Sequence, residues 1–425
     1  MILLLLFTGA IIFGFYYYKK LVTAKSSVSA QKKEVKPEVK ETKTQRKVSQ
    51  ETPQVTNKEL KRQEQEVKKA QKKIKKANPT HPSFLRGFKG FREKVSDFDV
   101  SADGLYVVAC SPDCTFRVYK SKDLNDQDPL TVYQKIDFYE PSVISLRGDK
   151  RFVAVGMGDV KMVEFYNLDE TTGDDDKTKI NISLHSRSAD KLHKTTLKHL
   201  FLDSEGKFYV TGSDEDDTSL KAWSLSGDNL GTFTTAQLRN HHVLRSDNGR
   251  FLAVAAWTSD VMILELKVNK DGGLKSFGKA MTLKGHRQGI IDLAFNTHDD
   301  KIVTLSKDQT IKLWDINVRY EMNEDPKCLA TINVADHPEL KNIGGLVRLA
   351  LLTNEQNTRD LILITQNSDI LIFDVQKNKF IETIENAHSE GSSIYKMLFK
   401  EHKGKPYLYT CGDDGRVNMW NFEKI

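Results

Sequence analysis

The fold is decided by Leu283–Asp315, which reads LKGHRQGIIDLAFNTHDDKIVTLSKDQTIKLWD. Three short runs rich in β-branched and apolar residues, Ile290–Phe295, Lys301–Leu305 and Thr310–Trp314, alternate with turns rich in Asn, Asp and Lys. Runs of this length between such turns predict β-strands in an antiparallel unit. A Gly-His pair opens the unit and a Trp-Asp pair closes it.

Weaker copies of this unit recur along the chain. In four copies an Asp in a tight turn lies six positions before an aromatic residue, as Asp113 does before Tyr119 and Asp414 before Trp420. Three degenerate copies lack that Asp. The closing positions of the copies are Tyr119, Tyr166, Trp223, Leu264, Trp314, Phe373 and Trp420, spaced 41 to 59 residues apart. The sequence therefore predicts seven repeats, with six or eight left open by the degenerate copies.

The Gly-His opening and the Trp-Asp closure resemble the WD repeat, in which each repeat forms one four-stranded blade of a β-propeller. We therefore expect an all-β, seven-bladed WD-repeat β-propeller over residues 83–425. Because an open ring would expose sheet edges, we expect Ser83–Phe91 to supply the outer strand of the last blade. This strand would pair with Val417–Phe422, so truncation there should damage the fold.

Four residues of the best repeat, His286, Ser306, Asp308 and Trp314, resemble the hydrogen-bonded tetrad of this family. A buried carboxylate needs such partners, and only this blade carries the complete set. We interpret the set as structural, because a catalytic serine must be exposed beside an oxyanion hole.

No metal, cofactor or catalytic site is predicted. His193, His199, His241 and His242 are interpreted as surface or turn histidines. The acidic clusters Asp174–Asp176 and Asp214–Asp217 are interpreted as solvated loop tips, since neither matches a calcium-binding loop.

The N-terminal residues 1–18 are predicted to form a single transmembrane signal-anchor. Ile2–Tyr18 carries no charge and is long enough, as a helix, to cross a thin bilayer. Tyr16–Tyr18 would form an aromatic belt, followed at once by Lys19 and Lys20. The alternative is a signal peptide cleaved after Ala24, although its positive charge would normally precede the apolar run.

Residues 19–82 are predicted to be a basic, partly helical tether. They carry 19 Lys and Arg against 7 Glu, whereas residues 83–425 have a net charge of −6. Asn57–Ala77 is rich in helix formers and is interpreted as a solvated helix or a weak partner helix. The candidate residues for weak contact with RNA phosphates or anionic lipid are Lys68, Lys69, Lys72, Lys73, Lys75 and Lys76.

The whole layout resembles the transducin beta-like protein 2 family, which are membrane-tethered WD-repeat proteins of the endoplasmic reticulum. The matching segments are Leu283–Asp315, the following Val318-Arg319-Tyr320 and Glu324-Asp325-Pro326, and Phe98–Lys120 in the first blade. The departures are Gly90-Phe91 and Ala387-His388 in place of Gly-His. The resemblance implies a non-catalytic adaptor in stress or translation-control signalling, linked to the translation-factor kinase of that membrane.

The predicted function is a membrane-tethered protein-interaction scaffold whose propeller faces the cytosol. Lysines after the apolar run favour that orientation, and four scattered cysteines are typical of a reducing compartment. The alternatives are an exchange factor for a small GTPase at the same membrane, an RNA- or ribosome-binding tether, and a hydrolase with carboxylates around a metal in the channel. The sequon Asn181-Ile182-Ser183 is a natural reporter of orientation.

Overall fold

A computed structural model describes residues 78–172, 178–189, 191–213, 218–237, 239–340 and 347–424. These residues form 28 β-strands and two short 3₁₀ helices, Tyr320–Met322 and Val334–Asp336. The strands are arranged in seven four-stranded antiparallel sheets. The fold is therefore all-β, and the predicted count of seven blades is confirmed.

The strand bounds follow in chain order. The first fourteen strands are β1 Phe84–Phe88, β2 Asp97–Val100, β3 Tyr106–Ser111, β4 Thr115–Lys120, β5 Leu130–Lys135, β6 Pro141–Leu146, β7 Phe152–Met157, β8 Met162–Thr172, β9 Thr178–Arg187, β10 Leu197–Leu202, β11 Phe208–Ser213, β12 Ser219–Ser224, β13 Asn229–Thr234 and β14 His242–Arg245. The others are β15 Phe251–Ala255, β16 Val261–Val268, β17 Leu274–Leu283, β18 Ile290–Phe295, β19 Lys301–Ser306, β20 Thr310–Asp315, β21 Lys327–Asn333, β22 Leu349–Thr353, β23 Asp360–Gln366, β24 Asp369–Asp374, β25 Lys379–Ile384, β26 Ile394–His402, β27 Lys405–Gly412 and β28 Val417–Asn421.

Blades 1 to 6 each use four consecutive strands, starting with β2–β5 and ending with β22–β25. Blade 7 contains β26, β27 and β28, and its outer strand is β1 from the other end of the domain. Phe84 lies opposite Trp420 and Phe88 lies opposite Val417. The predicted closure of the ring is thus confirmed, with a shorter strand than the predicted Ser83–Phe91.

All seven closing positions lie on the third strand of their blades. In six blades the pairing of the third and outer strands shifts register immediately before the closing residue, as between Leu313 and Trp314. Blade 1, which closes with Tyr119, has no such shift. A bulge adds local twist and changes the direction of the side chain beyond it, so this recurrent bulge sets how the closing residue enters the core.

The hydrophobic core consists of seven clusters among the described residues, one between each pair of neighbouring blades. The second strand of a blade lies between these clusters, and β3, β7, β11 and β19 are buried along their whole length. A strand covered on both faces needs a continuous apolar run. This explains runs such as VVAC in β3 and IVTL in β19.

The antiparallel order gives the propeller two distinct faces. The upper face carries the turns between the second and third strands and the connections between blades, whereas the lower face carries the other turns. The predicted anchor 1–18, most of the tether and the cluster Asp174–Asp176 lie outside the described residues. Within the described ranges, no helix has the length and apolar character needed to cross a membrane.

Candidate functional site

The best repeat, blade 5, contains a buried chain of hydrogen bonds. His286 Nδ1 lies 3.1 Å from Asp308 Oδ2, and His286 Nε2 lies 2.8 Å from Thr304 Oγ1. Trp314 Nε1 donates to the same threonine oxygen at 2.9 Å. The prediction that the Ser306 hydroxyl links His286 to Trp314 is wrong, because the Thr304 hydroxyl occupies that position.

Ser306 lies two residues closer to the turn than Thr304, at the end of β19. Its hydroxyl donates to the carbonyl oxygens of Gln288 and Gly289 at 2.9 and 3.2 Å. It therefore fixes the connection between blades 4 and 5 and does not contact His286. The physical reason is reach, since Thr304 is opposite Lys312 in the strand pair and lies nearer the tryptophan ring.

Blade 7 carries a second complete tetrad, which the sequence reasoning missed. His388 Nδ1 lies 2.9 Å from Asp414 Oδ1, and His388 Nε2 lies 2.8 Å from Thr410 Oγ1. Trp420 Nε1 donates to Thr410 at 3.1 Å. The prediction of one complete set was wrong because Ala387 stands where Gly is usual. The spacing of ten residues from threonine to tryptophan is the same in both blades and was the available signal.

Blade 3 contains part of this arrangement, and blade 1 replaces it with a different hydrogen bond. In blade 3, His193 Nε2 lies 2.8 Å from Thr211 Oγ1, which also accepts the Trp223 indole N–H at 2.8 Å. Asp217, the predicted turn residue of this blade, lies outside the described residues. In blade 1 the hydroxyl of Tyr119 donates to the carbonyl of Lys89 instead.

The electrostatics of the blade 5 tetrad fit a structural role. Burial on its own would raise the pKa of Asp308, but hydrogen bonds from Thr310, the Arg287 N–H and His286 lower it to about 2. Burial lowers the pKa of His286, which keeps the ring neutral. The neutral ring donates from Nδ1 to the carboxylate and accepts the Thr304 hydroxyl at Nε2. Every polar atom of the relay is then occupied within the blade.

A channel of about 680 Å³ runs along the propeller axis. Its lining combines charged side chains with apolar ones, so it does not exclude the hydrolase alternative. Asp97, Arg348 and Lys396 are among the lining residues. Among the described residues, however, no group of three or more His, Cys, Asp or Glu side chains is placed to hold a metal ion.

Side chains of the inner strands, or of residues just before them, join the blades around this channel. Every one of the seven junctions has at least one such hydrogen bond. At the first four junctions, Asp97 and Asp99 accept the N–H groups of Ile144 and Leu146, Ser145 accepts Leu202 N–H, His199 donates to the carbonyl of Asn240, and His241 donates to that of Ile291. At the last three, Asp292 accepts Leu349 N–H, Arg348 donates to the carbonyl of Tyr395, and Lys396 donates to Asp97.

This ring corrects the interpretation of the histidines as surface or turn residues. His193 and His199 are buried, and burial lowers the pKa of His199 to about 4. His242 lies 3.6 Å from the buried Asp292, and burial lowers its pKa as well. Asp292 also lies 3.7 Å from Arg348, yet burial raises its pKa to about 6. His199, His242 and Asp292 therefore lie at contacts between neighbouring blades.

The upper face exposes aromatic side chains on its turns and connections. Phe138, in the connection between blades 1 and 2, is 96% exposed and has a φ of 71°. Its neighbour Tyr139 is 37% exposed, and Trp257 at blades 4 and 5 is 40% exposed. Aromatic side chains exposed on rim loops are frequent contacts of a binding surface.

Comparison with known proteins agrees with this geometry. The family described as "WD domain, G-beta repeat" matches residues 82–120 and 278–315, which include β1 and most of blade 5. The fold is a seven-bladed WD-repeat propeller. The two matched segments contain Tyr119 and Trp314, two of the predicted closing positions.

Two similar proteins align with most of this chain. Human "Transducin beta-like protein 2" is 27% identical over 338 residues, which cover 79% of this chain and 71% of that protein. The mouse protein of the same name is 27% identical over 334 residues, with the same coverage. Mouse "Striatin-3" is 26% identical over 165 residues, covering 37% of this chain and 20% of that protein. The resemblance to transducin beta-like protein 2 that the sequence indicated is confirmed.

Proposed function

We propose that the protein is a non-catalytic interaction scaffold that binds protein partners through the upper face of its propeller. The observation that carries the proposal is the almost complete exposure of Phe138, together with its positive φ. A bulky residue with a positive φ is strained, and an aromatic ring that is 96% exposed gains no packing energy in return. Asp137 and Glu140 flank Phe138 in the sequence. The partner surface that fits this segment is an apolar pocket with basic groups at its edge.

The test is proximity labelling from the full chain and from two variants. Phe138→Ala should lose a set of labelled partners and keep its melting temperature, because the ring makes no packing contribution. Leu230→Ala is the matched control, since Leu230 is 45% exposed on the outer strand of blade 3. Identical labelling in all three proteins would contradict docking through Phe138.

The scaffold is, in this proposal, held at the endoplasmic reticulum by residues 1–18 with its propeller in the cytosol. The apolar run, its following lysines and the resemblance to membrane-tethered proteins support this placement. Partners would include the stress kinase of that membrane. Labelling from a chain without residues 1–18 should lose membrane partners while keeping those that depend on Phe138.

A weak polyanion contact through the tether is the second candidate function. The net charge of +12 in residues 19–82 favours it. If the six clustered lysines neutralise six phosphates, the logarithm of affinity for single-stranded RNA should fall against the logarithm of salt with a slope of roughly −4. Binding that ignores salt, or that survives deletion of residues 57–77, would contradict this function.

A further inference from the structure

Trp257 occupies the upper rim where blade 4 meets blade 5, in the turn between β15 and β16. Its side chain is 40% exposed, and Lys307 Nζ lies 3.2 Å from the centre of its ring. The His241 ring packs beside it at 5.2 Å. Gly289 lies so close below that a Cβ there would be 2.9 Å from the Trp257 carbonyl oxygen. The tryptophan is therefore held in place although nearly half of it faces solvent.

The connection between blades 4 and 5, residues 284–289, is fixed by the neighbouring tetrad. Ser306 Oγ and Lys307 N both donate to the carbonyl of Gly289, at 3.2 and 2.9 Å. Asp308 Oδ2 accepts the backbone N–H of Arg287 at 2.8 Å. The backbone beneath Trp257, Arg287 and Lys307 is thus ordered before any partner arrives, which reduces the entropy cost of binding.

Three exposed basic residues lie on the connection and the turn next to Trp257, whose own turn holds one half-buried carboxylate, Asp260. Lys284, Arg287 and Lys307 are exposed, and within the described ranges none of them has a carboxylate within ion-pair distance. The equivalent positions in blade 7 are Ser389, whose N–H donates to Asp414, and Asp413. Since blade 7 keeps the same tetrad without these cations, the tetrad does not require them.

We infer that Trp257, Arg287 and Lys307 form a docking site for a short acidic segment of a partner protein. An apolar side chain of that segment packs on the open edge of Trp257, and its carboxylates pair with the cations. Tryptophan and arginine dominate the binding energy of many interfaces. Single-stranded RNA fits less well, because Lys307 covers a ring face that base stacking would need. The site lies three blades from Phe138 and is independent of the proposed docking there.

The test is selection of short random peptides by display against the full chain in mild detergent, with a random single-stranded RNA pool in parallel. The selected peptides should be enriched in Asp and Glu around an apolar residue. Trp257→Ala should weaken their binding about thirtyfold, the lower end of the effect of a hot-spot residue. Arg287→Ser, which introduces the residue of blade 7, should weaken binding by a similar factor and preserve the melting temperature.

Ser389→Arg is the matched control, because it adds an arginine on blade 7 where the preceding turn has no tryptophan. It should leave peptide binding unchanged. Peptides without acidic enrichment, or equal binding to wild type and Arg287→Ser, would overturn the inference. So would selection of RNA alone with binding that depends on Trp257, since the site would then serve nucleic acid. A failure here leaves the Phe138 labelling result unaffected.

Discussion

In blades 5 and 7 one threonine hydroxyl joins a tryptophan to a histidine–aspartate pair. Thr304→Val keeps the shape of the side chain but leaves the Trp314 N–H and His286 Nε2 unsatisfied in the core. An unsatisfied buried polar group costs about 1–3 kcal/mol. We therefore expect the free energy of unfolding, measured by thermal or chemical denaturation, to fall by about 2–4 kcal/mol.

Asp308→Ala should lower the free energy of unfolding by a comparable amount, because it removes a charge-assisted hydrogen-bond network.

Two controls belong to this experiment. Thr410→Val removes the same link from blade 7 and should cost about as much as Thr304→Val. Ser306→Ala removes the hydrogen bonds to the carbonyls of the connection and the one from the Asp308 N–H at 3.2 Å. The Gly289 carbonyl still accepts the Lys307 N–H, so a smaller cost of about 0.5–1.5 kcal/mol is expected. A larger loss from Ser306→Ala than from Thr304→Val would restore Ser306 to the tetrad and contradict the geometry.

The carboxylate of Asp308 also makes stability depend on pH. Its pKa of about 2 in the folded protein lies below the ordinary value of 3.8, so the unfolded chain binds the proton more tightly. The charged group thus contributes about 2 kcal/mol above pH 4, and this contribution is lost as the pH falls toward 2. The stability difference between wild type and Asp308→Asn should shrink over that window, whereas a constant difference would contradict the pKa.

At this scale the sequence predicted three tetrad members and missed the fourth. Thr304 and Ser306 both carry hydroxyl groups and are two residues apart on one strand, so spacing alone does not separate them. The strand register does, because Trp314 lies opposite Ile302, two residues before Thr304. Likewise the adjacent His241 and His242 gave no pattern that predicts burial at a blade junction, since their partners come from another blade.

Among the elements, β1 closes the ring, because it pairs with β28 as the outer strand of blade 7. Phe88 is 1% exposed and its ring lies 5.2 Å from that of Tyr119, so β1 joins blade 7 to blade 1. Truncating a buried Phe to Ala costs about 3–5 kcal/mol. We therefore expect Phe88→Ala to lower the melting temperature strongly and to promote aggregation through the loosened edge of β28.

Phe138→Ala is the matched control, because it removes the same atoms from a ring that is 96% exposed. Its melting temperature should equal that of the wild type. If the Phe88→Ala protein had the same melting temperature as the wild type, β1 would not close the ring in solution.

The strands of blade 5 matched their predicted bounds to within one residue, because β18–β20 have clear apolar runs and turn residues. The outer strands gave a weaker signal. In β5 half-buried and exposed residues alternate, and no residue is fully buried. Asn181 of the sequon lies on β9, the outer strand of blade 2, with its side chain exposed. Outer strands contact only one neighbour, so their composition resembles that of loops.

At the scale of the whole molecule, the charge separates into a basic N-terminal segment and an acidic propeller. The net charge is +12 for residues 19–82 and −6 for residues 83–425. Lysines that follow the apolar run favour a cytosolic location for the C-terminal part of the chain. The propeller, its exposed aromatic residues and the basic patch at Trp257 would then all meet cytosolic partners.

The orientation at the membrane tests this account most directly, because the proposed partners depend on it. The measurement is protease digestion of intact microsomes that contain the full chain, combined with endoglycosidase treatment to detect a glycan on Asn181. Asn181 is exposed, and its sequon would be accessible to glycosylation in the lumen. We predict that the protease digests the propeller and that Asn181 carries no glycan. A propeller protected until detergent is added, or an Asn181 glycan sensitive to the enzyme, would contradict a cytosolic scaffold.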